Sequence, residues 1–334
     1  MRTIRDFVFA ADDNYSLQLK VAAAGLLHAC RHNPSPLTLH ILDLGLSEQT
    51  WENLKSCWTS VYPSGTFIRH VLDPEEFSSF RKWNGSLAPY ARIKLPSLLP
   101  TVSWCLYADC DVLFLDDPEK LSACPKSGMA LIGHLNPVSV TASQDEKWFA
   151  KQQLTISRET YICSGLMLIN LDWHRKHEIE TRCLEFLRKH PDSVSADQSA
   201  LNFVCKGHIG LLPDGWGDFL FESLQNASPK CIHFAGTTPW NPQRHWTVFC
   251  GAHKFFGLWY WVASHVANEH GLKRRYLPLS QSFLYRLQAS LLWPIVALSS
   301  IVRLYPRRFE ALAQSIRNRL SARAINHATR LLEN

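Results

Sequence analysis

The stretch Trp104-Cys105-Leu106-Tyr107-Ala108-Asp109-Cys110-Asp111-Val112-Leu113-Phe114-Leu115 decides the fold. Its apolar first half is too continuous for a half-exposed strand, so it predicts a strand buried on both faces. Asp109 and Asp111 follow at the carboxyl end of that strand, where open α/β sheets bind their ligands. We expect this segment to be extended, so that the two alternate side chains point to one side and converge. Carboxylates held this close suit Mg²⁺ or Mn²⁺, an ion that commonly carries substrate phosphates, whereas the structural alternative is a strand end with solvated acids.

Helix and strand patterns alternate along the body of the chain. Further strands are predicted at residues 7–11, 37–42, 67–72, 130–133 and 165–170. Helices are predicted at residues 15–30, 89–95, 173–190 and 197–204, and one more runs from an N-cap at Ser47 to residue 61. This alternation predicts an α/β fold with a mostly parallel sheet between helices.

The first strand ends in the run Phe9-Ala10-Ala11-Asp12-Asp13-Asn14-Tyr15. Its small side chains allow a flat ring or a phosphate to approach closely, and the amide end of the following helix favours anions. The run is not a G-x-G-x-x-G loop, which argues against a dinucleotide cofactor. Asp12 and Asn14 either cap the helix or hydrogen-bond a base or a ribose hydroxyl.

A late segment, Cys231-Ile232-His233-Phe234-Ala235-Gly236-Thr237-Thr238-Pro239-Trp240, places a histidine at the end of a short apolar strand. An imidazole there could complete a metal site with the two aspartates, and it suits Mn²⁺ better than Mg²⁺. A purely structural histidine is the alternative.

Together with the Tyr90–Leu95 (YARIKL), Ser164–Leu171 (SGLMLINL) and Ala196–Asn202 (ADQSALN) segments, these motifs resemble the family 8 retaining glycosyltransferases over roughly residues 5–265. The resemblance is strongest to bacterial enzymes that add galactose or glucose to lipopolysaccharide or lipooligosaccharide cores. It implies a GT-A fold, placed here at residues 1–272, and a UDP-galactose or UDP-glucose donor. It also implies Mn²⁺, with Mg²⁺ as the alternative, a glycan or glycolipid acceptor, and an α-linked product.

The resemblance also implies roles for individual side chains. The implied metal ligands are Asp109, Asp111 and His233. The implied uridine contacts are Ala10, Asp12 and Asn14, and the rest of the donor site is Ala11, Arg92, Asp109, Cys110, Gly236 and Thr238. Asp197 and Gln198 are the implied catalytic residues in the sugar pocket. Gln198 would serve a double displacement, whereas front-side attack needs no such group, and both mechanisms remain open.

Three positions depart from the family pattern. Thr238 stands where a lysine usually precedes Pro-Trp, Cys163 where an asparagine is common, and Asn136 where an aspartate is frequent. These replacements motivate an alternative function, a weakened or non-catalytic nucleotide-sugar-binding, membrane-associated assembly protein. A self-glucosylating primer similar to glycogenin is a third possibility, although no tyrosine is singled out for it.

Charge separates the last segment from the body. Residues 273–334 carry 11 basic and 2 acidic residues, whereas residues 1–272 carry 24 and 27. Residues 287–302 are uncharged but too short to span a membrane. Phe309, Leu312, Ile316 and Leu320 then recur at helical spacing among arginines. We expect 273–334 to be a basic amphipathic region on an anionic membrane surface, with a helix packed on the body as the alternative. Nucleic acid is not expected as a partner, because no binding motif accompanies the charge.

Ten cysteines are scattered through the chain without a C-x-x-C motif. Such cysteines are typical of small buried side chains in a reducing compartment. The apolar run near the start is too short for the core of a signal peptide. We therefore expect a cytoplasmic protein that lies peripherally on the inner face of the cell membrane.

Overall fold

The computed structural model describes residues 3–33, 35–83, 85–124, 127–136, 140–223, 226, 228–236, 238–240 and 255–272 of the 334-residue chain. The chain forms two compact units. The first comprises residues 1–112 and 117–213, and the second comprises residues 113–116 and 214–334. The expected basic region at 273–334 lies outside the described residues.

A seven-stranded sheet forms the centre of the first unit. Its strands are β1 (Asp6–Ala11), β2 (Thr38–Asp43), β3 (Thr66–Val71), β4 (Trp104–Ala108), β6 (Leu131–Leu135), β7 (Ile162–Asn170) and β8 (Ile209–Leu211), while β5 (Val112–Phe114) belongs to a second sheet. The order is β3-β2-β1-β4-β7-β6-β8. All neighbouring pairs are parallel except β4–β7 and β6–β7, where β7 runs in the opposite direction. The prediction of an α/β fold with a mostly parallel sheet is therefore confirmed.

Helices flank this sheet, and most begin where the sequence predicts. They are α1 (Ser16–Ala29), α2 (Glu48–Val61), α3 (Ala88–Ala91), α4 (Leu95–Leu98), α5 (Val140–Lys151), α6 (Leu171–Lys176), α7 (Ile179–Lys189) and α8 (Ala196–Val204). The Ser47 hydroxyl accepts a hydrogen bond from the amide of Thr50, which confirms Ser47 as the N-cap of α2. The fully buried Trp58 anchors α2 against the core.

Two helix predictions were wrong in detail. Residues 173–190 form two helices rather than one, because the chain turns at Glu178, whose φ of 53° lies in the left-handed region. Residues 89–95 are not one helix either. A 3₁₀ turn, Arg92–Lys94, separates α3 from α4, and Pro96 in α4 has no amide hydrogen to continue the α-helical pattern.

The second unit contains a three-stranded sheet in the order β5-β10-β9, where β9 is Asp218–Phe219 and β10 is Cys231–His233. Two helices, α9 (Leu220–Ser223) and α10 (Phe256–His265), complete its described part. The predicted strand ending at His233 is confirmed. Among the described residues, the helices are all too short or too polar to cross a bilayer.

Candidate functional site

A cleft opens in the first unit at the carboxyl ends of the neighbouring parallel strands β1 and β4. Six of the residues implied by the sequence line it: Ala10, Ala11, Arg92, Asp109, Cys110 and Asp111. The first two are small side chains at the end of β1, so a ligand in the cleft can approach this strand closely. The Cys110 thiol donates to the Ala10 carbonyl oxygen at 3.4 Å, which joins the acidic segment to β1.

The acidic pair does not continue β4 as an extended strand. The amide of Val112 donates to the Asp109 carbonyl oxygen at 3.1 Å, so residues 109–112 form a turn that leads from β4 into β5. The prediction that alternation along a strand brings Asp109 and Asp111 together was therefore wrong. The turn performs that task because the chain leaves the sheet directly after Ala108, and both side chains remain partly exposed.

Asp109 is held by two donors on one of its oxygens. The Arg92 guanidinium donates from Nη2 to Oδ1 at 2.7 Å, and the Tyr107 hydroxyl donates to the same oxygen at 2.9 Å. Oδ2 accepts no hydrogen bond from the described residues, and 31% of the Asp109 side chain is exposed. Asp109 therefore has a fixed orientation and one oxygen available to a ligand in the cleft.

Arg92 links several parts of the first unit from a buried position. Its Nε donates to the Pro89 carbonyl oxygen, its Nη1 donates to the Ser164 carbonyl oxygen, and its carbon Cζ lies 4.2 Å from the centre of the Tyr107 ring. Burial alone would lower the pKa of Arg92, but the carboxylates of Asp109 and Asp197 raise it above its usual value. Arg92 is therefore a permanent cation that orients Asp109.

Asp197, near the start of α8, lies on the other side of the same guanidinium. Its Oδ2 is 3.3 Å from Arg92 Nε, yet it accepts no hydrogen bond from the described residues, because Nε points its hydrogen at Pro89. Burial raises the pKa of Asp197 to about 6, against the opposing effect of Arg92 and with a contribution from Asp109. This carboxyl group is thus buried, close to a cation, and able to accept one more hydrogen bond.

Gln198 is tied to the sheet rather than exposed to the cleft. Its Oε1 accepts from the amide of Ser164 in β7 at 3.1 Å, and its side chain is 92% buried. Asn202, one turn later, binds both the amide and the carbonyl oxygen of Ile162. These amide contacts fix α8 against β7. Asp197 and Gln198 are not among the described residues that line the cleft, so the structure leaves their catalytic roles as predictions.

Asp12 is engaged by its own chain. One carboxylate oxygen accepts from the amide of Asn14, as expected for a helix cap, and the other accepts from the Ser86 hydroxyl at 2.9 Å. Ser86 also pairs by two backbone hydrogen bonds with Trp83. Asp12 therefore fixes a short loop that places Trp83 in the cleft wall, while Asn14 is exposed and outside the lining.

In the second unit, His233 ends β10 as a buried side chain. Its ring stacks on Phe219 of the neighbouring strand β9, with ring centres 5.1 Å apart. Gly236 follows with a φ of 74°, a left-handed conformation that favours glycine, and Thr238 is half-buried. The amide of Leu115, just after β5, donates to the Lys230 carbonyl oxygen, just before β10. The two strands therefore run antiparallel.

Asp109 and Asp111 each offer a carboxylate oxygen, and these two ligand atoms lie within 4.8 Å of each other in the first unit. Two carboxylates this close are suited to Mn²⁺ or Mg²⁺. The pair is compatible with the predicted metal site. The third predicted ligand, His233, belongs to the second unit, and its role stays a prediction.

The sequence model of the family described as glycosyl transferase family 8 matches residues 6–243. The chain belongs to glycosyl transferase family 8. Among relatives of this family 8 chain is general stress protein A of Bacillus subtilis (strain 168). It is 25% identical over 261 residues, which cover 75% of this chain and 87% of that protein.

Solved structures show the same fold. The galactosyltransferase LgtC, in complex with donor and acceptor sugar analogs, aligns with a TM-score of 0.66 at 24% identity, covering 78% of this chain and 96% of LgtC. An active-site mutant of LgtC, with glutamate in place of glutamine, aligns with a TM-score of 0.63 at 26% identity, covering 76% and 95%. The predicted family and the GT-A fold are confirmed, and the chain is a glycosyltransferase by family and fold.

The sequence did not lead us to expect several of the residues that line the cleft. Tyr15, Trp83, Ser86 and Tyr107 all line it. Tyr107 stands two residues before Asp109, and Trp83-Asn84-Gly85-Ser86 has the composition of a turn, so both had a signal in the sequence. Nothing in that turn indicated which element it would contact, because Ser86 meets Asp12 across 74 residues of chain.

Proposed function

We propose that this chain is a divalent-metal-dependent, retaining hexosyltransferase that moves galactose or glucose from a UDP-sugar to a lipopolysaccharide- or lipooligosaccharide-type glycan, with an α linkage. The observation that carries the proposal is the pair of Asp109 and Asp111, which line one cleft and have ligand atoms within 4.8 Å of each other. The shared fold with LgtC, which binds donor and acceptor sugar analogs, supports sugars as both substrates.

Charge in the cleft supports a requirement for a cation. The described residues that line it include two carboxylates, Asp109 and Asp111, and one cation, Arg92, which already donates to Asp109. A diphosphate entering this cleft would meet net negative charge. Thr238, where the family usually has a lysine, adds no positive charge. We therefore expect donor binding to depend on a divalent cation, with Mn²⁺ as the preferred ion and Mg²⁺ as a weaker substitute.

The proposed chemistry assigns separate tasks to the side chains. A divalent ion bound by Asp109, Asp111 and His233 would act as a Lewis acid on the departing diphosphate. Arg92 and Tyr107 fix Asp109 before any ligand arrives, which avoids reorganisation during the reaction. Asp197 is proposed to act from its buried position beside Arg92, where its Oδ2 accepts no hydrogen bond from the described residues.

Retention of configuration has two possible routes in this site. In a double displacement, Gln198 would attack the anomeric carbon from the face opposite the diphosphate. In a front-side reaction, the departing phosphate would assist the acceptor hydroxyl, and Gln198 would only stabilise positive charge on the sugar. The LgtC active-site mutant with a replaced glutamine supports an active-site role for this residue type.

The test is a donor panel with metal control. The purified full chain is incubated with UDP-galactose, UDP-glucose and other UDP-sugars, with Mn²⁺, with Mg²⁺, or with EDTA, and UDP release is measured. We expect slow hydrolysis with one hexose donor, abolished by EDTA and restored by Mn²⁺. Linkage analysis of a glycan product then identifies the anomer.

The same assay tests the alternative function. A nucleotide-sugar-binding assembly protein would bind UDP-galactose or UDP-glucose in the presence of Mn²⁺ without turnover, even with glycan acceptors. The replacements at Thr238, Cys163 and Asn136 favour this alternative. Calorimetric binding with no UDP release and no product would therefore replace the transferase proposal with the binding proposal.

A peripheral membrane location is proposed for the region 273–334. It rests on the charge of that region, 11 basic against 2 acidic residues, and on its helical spacing of apolar residues. Deleting residues 280–334 is expected to release the protein from phosphatidylglycerol vesicles and to leave donor hydrolysis intact. A matched full-length variant replaces Arg317, Arg319, Arg323 and Arg330 with glutamine and is expected to bind these vesicles weakly. Unchanged vesicle binding by both would contradict the proposal.

A further inference from the structure

The first turn of α8, which carries Asp197 and Gln198, has an unusual backbone. Ala196, its first residue, has a φ of 48°, in the left-handed region that residues with a Cβ rarely occupy. Ser195 stands at the N-cap position but makes no side-chain capping bond. An alanine in this conformation persists only when its surroundings hold it there.

The surroundings of Ala196 include a buried carboxylate from another helix. Asp145 in α5 is fully buried, and its two oxygens accept from the hydroxyls of Ser195 at 2.6 Å and Ser199 at 3.1 Å. The Ser199 oxygen in turn accepts from the amide of Ser195 at 3.1 Å. These bonds bracket Ala196 on both sides.

Asp145 itself is firmly placed. Trp148 and Phe149, three and four residues later and hence on the same face of α5, are buried. The Trp148 indole also donates to Asp192 at 3.1 Å. Burial raises the pKa of Asp145, against the effect of the hydroxyls that donate to it, so the chain keeps this carboxyl group buried despite an energetic cost.

We propose that Asp145 is a positioning residue for the transfer reaction. By accepting from Ser195 and Ser199, it holds Ala196 in the left-handed conformation and so fixes Asp197 beside Arg92 and Gln198 on the Ser164 amide. This inference rests on the proposed function for its catalytic part. Its structural part, the restraint on α8, can be measured without turnover.

The test compares four full-length proteins: wild type, Asp145→Asn, Ala196→Gly and the double variant. Asn keeps the shape of Asp145 but loses one acceptor and the charge. We expect Asp145→Asn to lower kcat for UDP release about tenfold or more, with the Kd for UDP within about threefold, since the uridine side of the cleft is untouched. Amide hydrogen exchange across Ala196–Val204 should become faster.

Glycine adopts a positive φ without steric cost. Adding Ala196→Gly to Asp145→Asn is therefore expected to restore most of the lost kcat and to slow amide exchange in α8. A merely structural role for Asp145 does not predict this rescue. If Asp145→Asn fails to fold, Ser195→Ala combined with Ser199→Ala removes the same bonds from the other side and takes its place.

The matched control is Glu119→Gln, a carboxylate-to-amide change where Glu119 binds Arg5 before the start of β1. It should leave kcat and α8 exchange unchanged. Unaltered α8 exchange in Asp145→Asn, or no rescue by glycine, would overturn the inference. If wild type turns over no donor, the proposed function fails separately, and the exchange measurements still decide whether Asp145 restrains α8.

Discussion

Asp109 and Asp197 both lie against Arg92, but 31% of the Asp109 side chain is exposed and only 6% of the Asp197 side chain. Asp109 stands in a turn that leaves the sheet, where it meets solvent in the cleft. Asp197 stands in the first turn of α8, enclosed by the first unit, where burial raises its pKa. The same type of side chain thus has two environments. The turn after β4 exposes carboxylate oxygens in the cleft, which we propose as ligands of a cation, whereas the start of α8 holds a buried carboxyl group outside the cleft lining.

The strongest test of this difference between Asp109 and Asp197 replaces one carboxylate oxygen in the exposed turn after β4. Asp111→Asn is expected to lower the rate of Mn²⁺-dependent UDP release about 10³-fold. The loss of a ligand weakens binding of the ion that would stabilise the leaving group. The variant should remain folded, since Asp111 is partly exposed. The rate and the Mn²⁺ concentration at half-maximal activity are the measurements.

The control for that variant is Asp116→Asn, five residues later, where the carboxylate pairs with Lys230 at 3.3 Å. Its activity should stay close to wild type. A wild-type rate for Asp111→Asn at low Mn²⁺ would mean that the exposed turn is not a metal site.

Arg92, which lies against both Asp109 and Asp197, should matter more for stability than either of these acids. Arg92→Ala leaves two carboxylates beside each other without their counter-ion, and we expect the free energy of unfolding to fall by about 3–5 kcal/mol, as for other broken buried pairs. Urea unfolding measures it. Arg158→Ala, which breaks an exposed pair with Glu146, should change the free energy of unfolding by less than about 1 kcal/mol. Equal losses for the two variants would argue that Arg92 does not stabilise the site.

Substitutions of the two buried amide side chains of α8, Gln198 and Asn202, distinguish a catalytic role from a packing role. Gln198 and Asn202 are both buried and both bind the backbone of β7. Replacing either by alanine leaves buried backbone groups without a partner, at a cost on the order of 1–3 kcal/mol in the free energy of unfolding. Only Gln198→Ala is expected to lower kcat further, by about 10- to 100-fold, measured under conditions where both variants are fully folded. Similar kcat values for both would assign Gln198 to packing alone.

The strands and the acidic pair could be predicted because their signals are local. β4 is an apolar run that ends in acids, and β1 is one that ends in small residues, so each indicates its own boundary. Parallel neighbours then bring their carboxyl ends to one edge of the sheet, which is how Ala10 and Asp109 come to line the same cleft.

The wrong and missed predictions concern features that have no local signal in the sequence. The break at Glu178 depends on a backbone conformation that its residue type does not indicate. The contacts of Asp12 with Ser86 and of Asp145 with Ser195 span 74 and 50 residues. Such polar contacts follow from tertiary packing, and no periodicity along the sequence encodes them.

The smallest expected effect is a pH-dependent step in stability from Asp197. Its pKa is raised from 3.8 to about 6 in the folded chain, first by burial, so the folded state favours the protonated form. Its contribution to stability is therefore fully present below the unfolded pKa and is lost as pH rises through about 6. In EDTA, the wild-type Tm should fall by a few degrees between pH 4.5 and 7 relative to Asp197→Asn, which lacks the titrating group. Glu119→Gln, away from α8, should keep the wild-type step. If Asp197→Asn and wild type show the same pH profile of Tm, then the pKa of Asp197 is the same in the folded and unfolded chain. The contrast with the exposed turn would then be one of exposure alone.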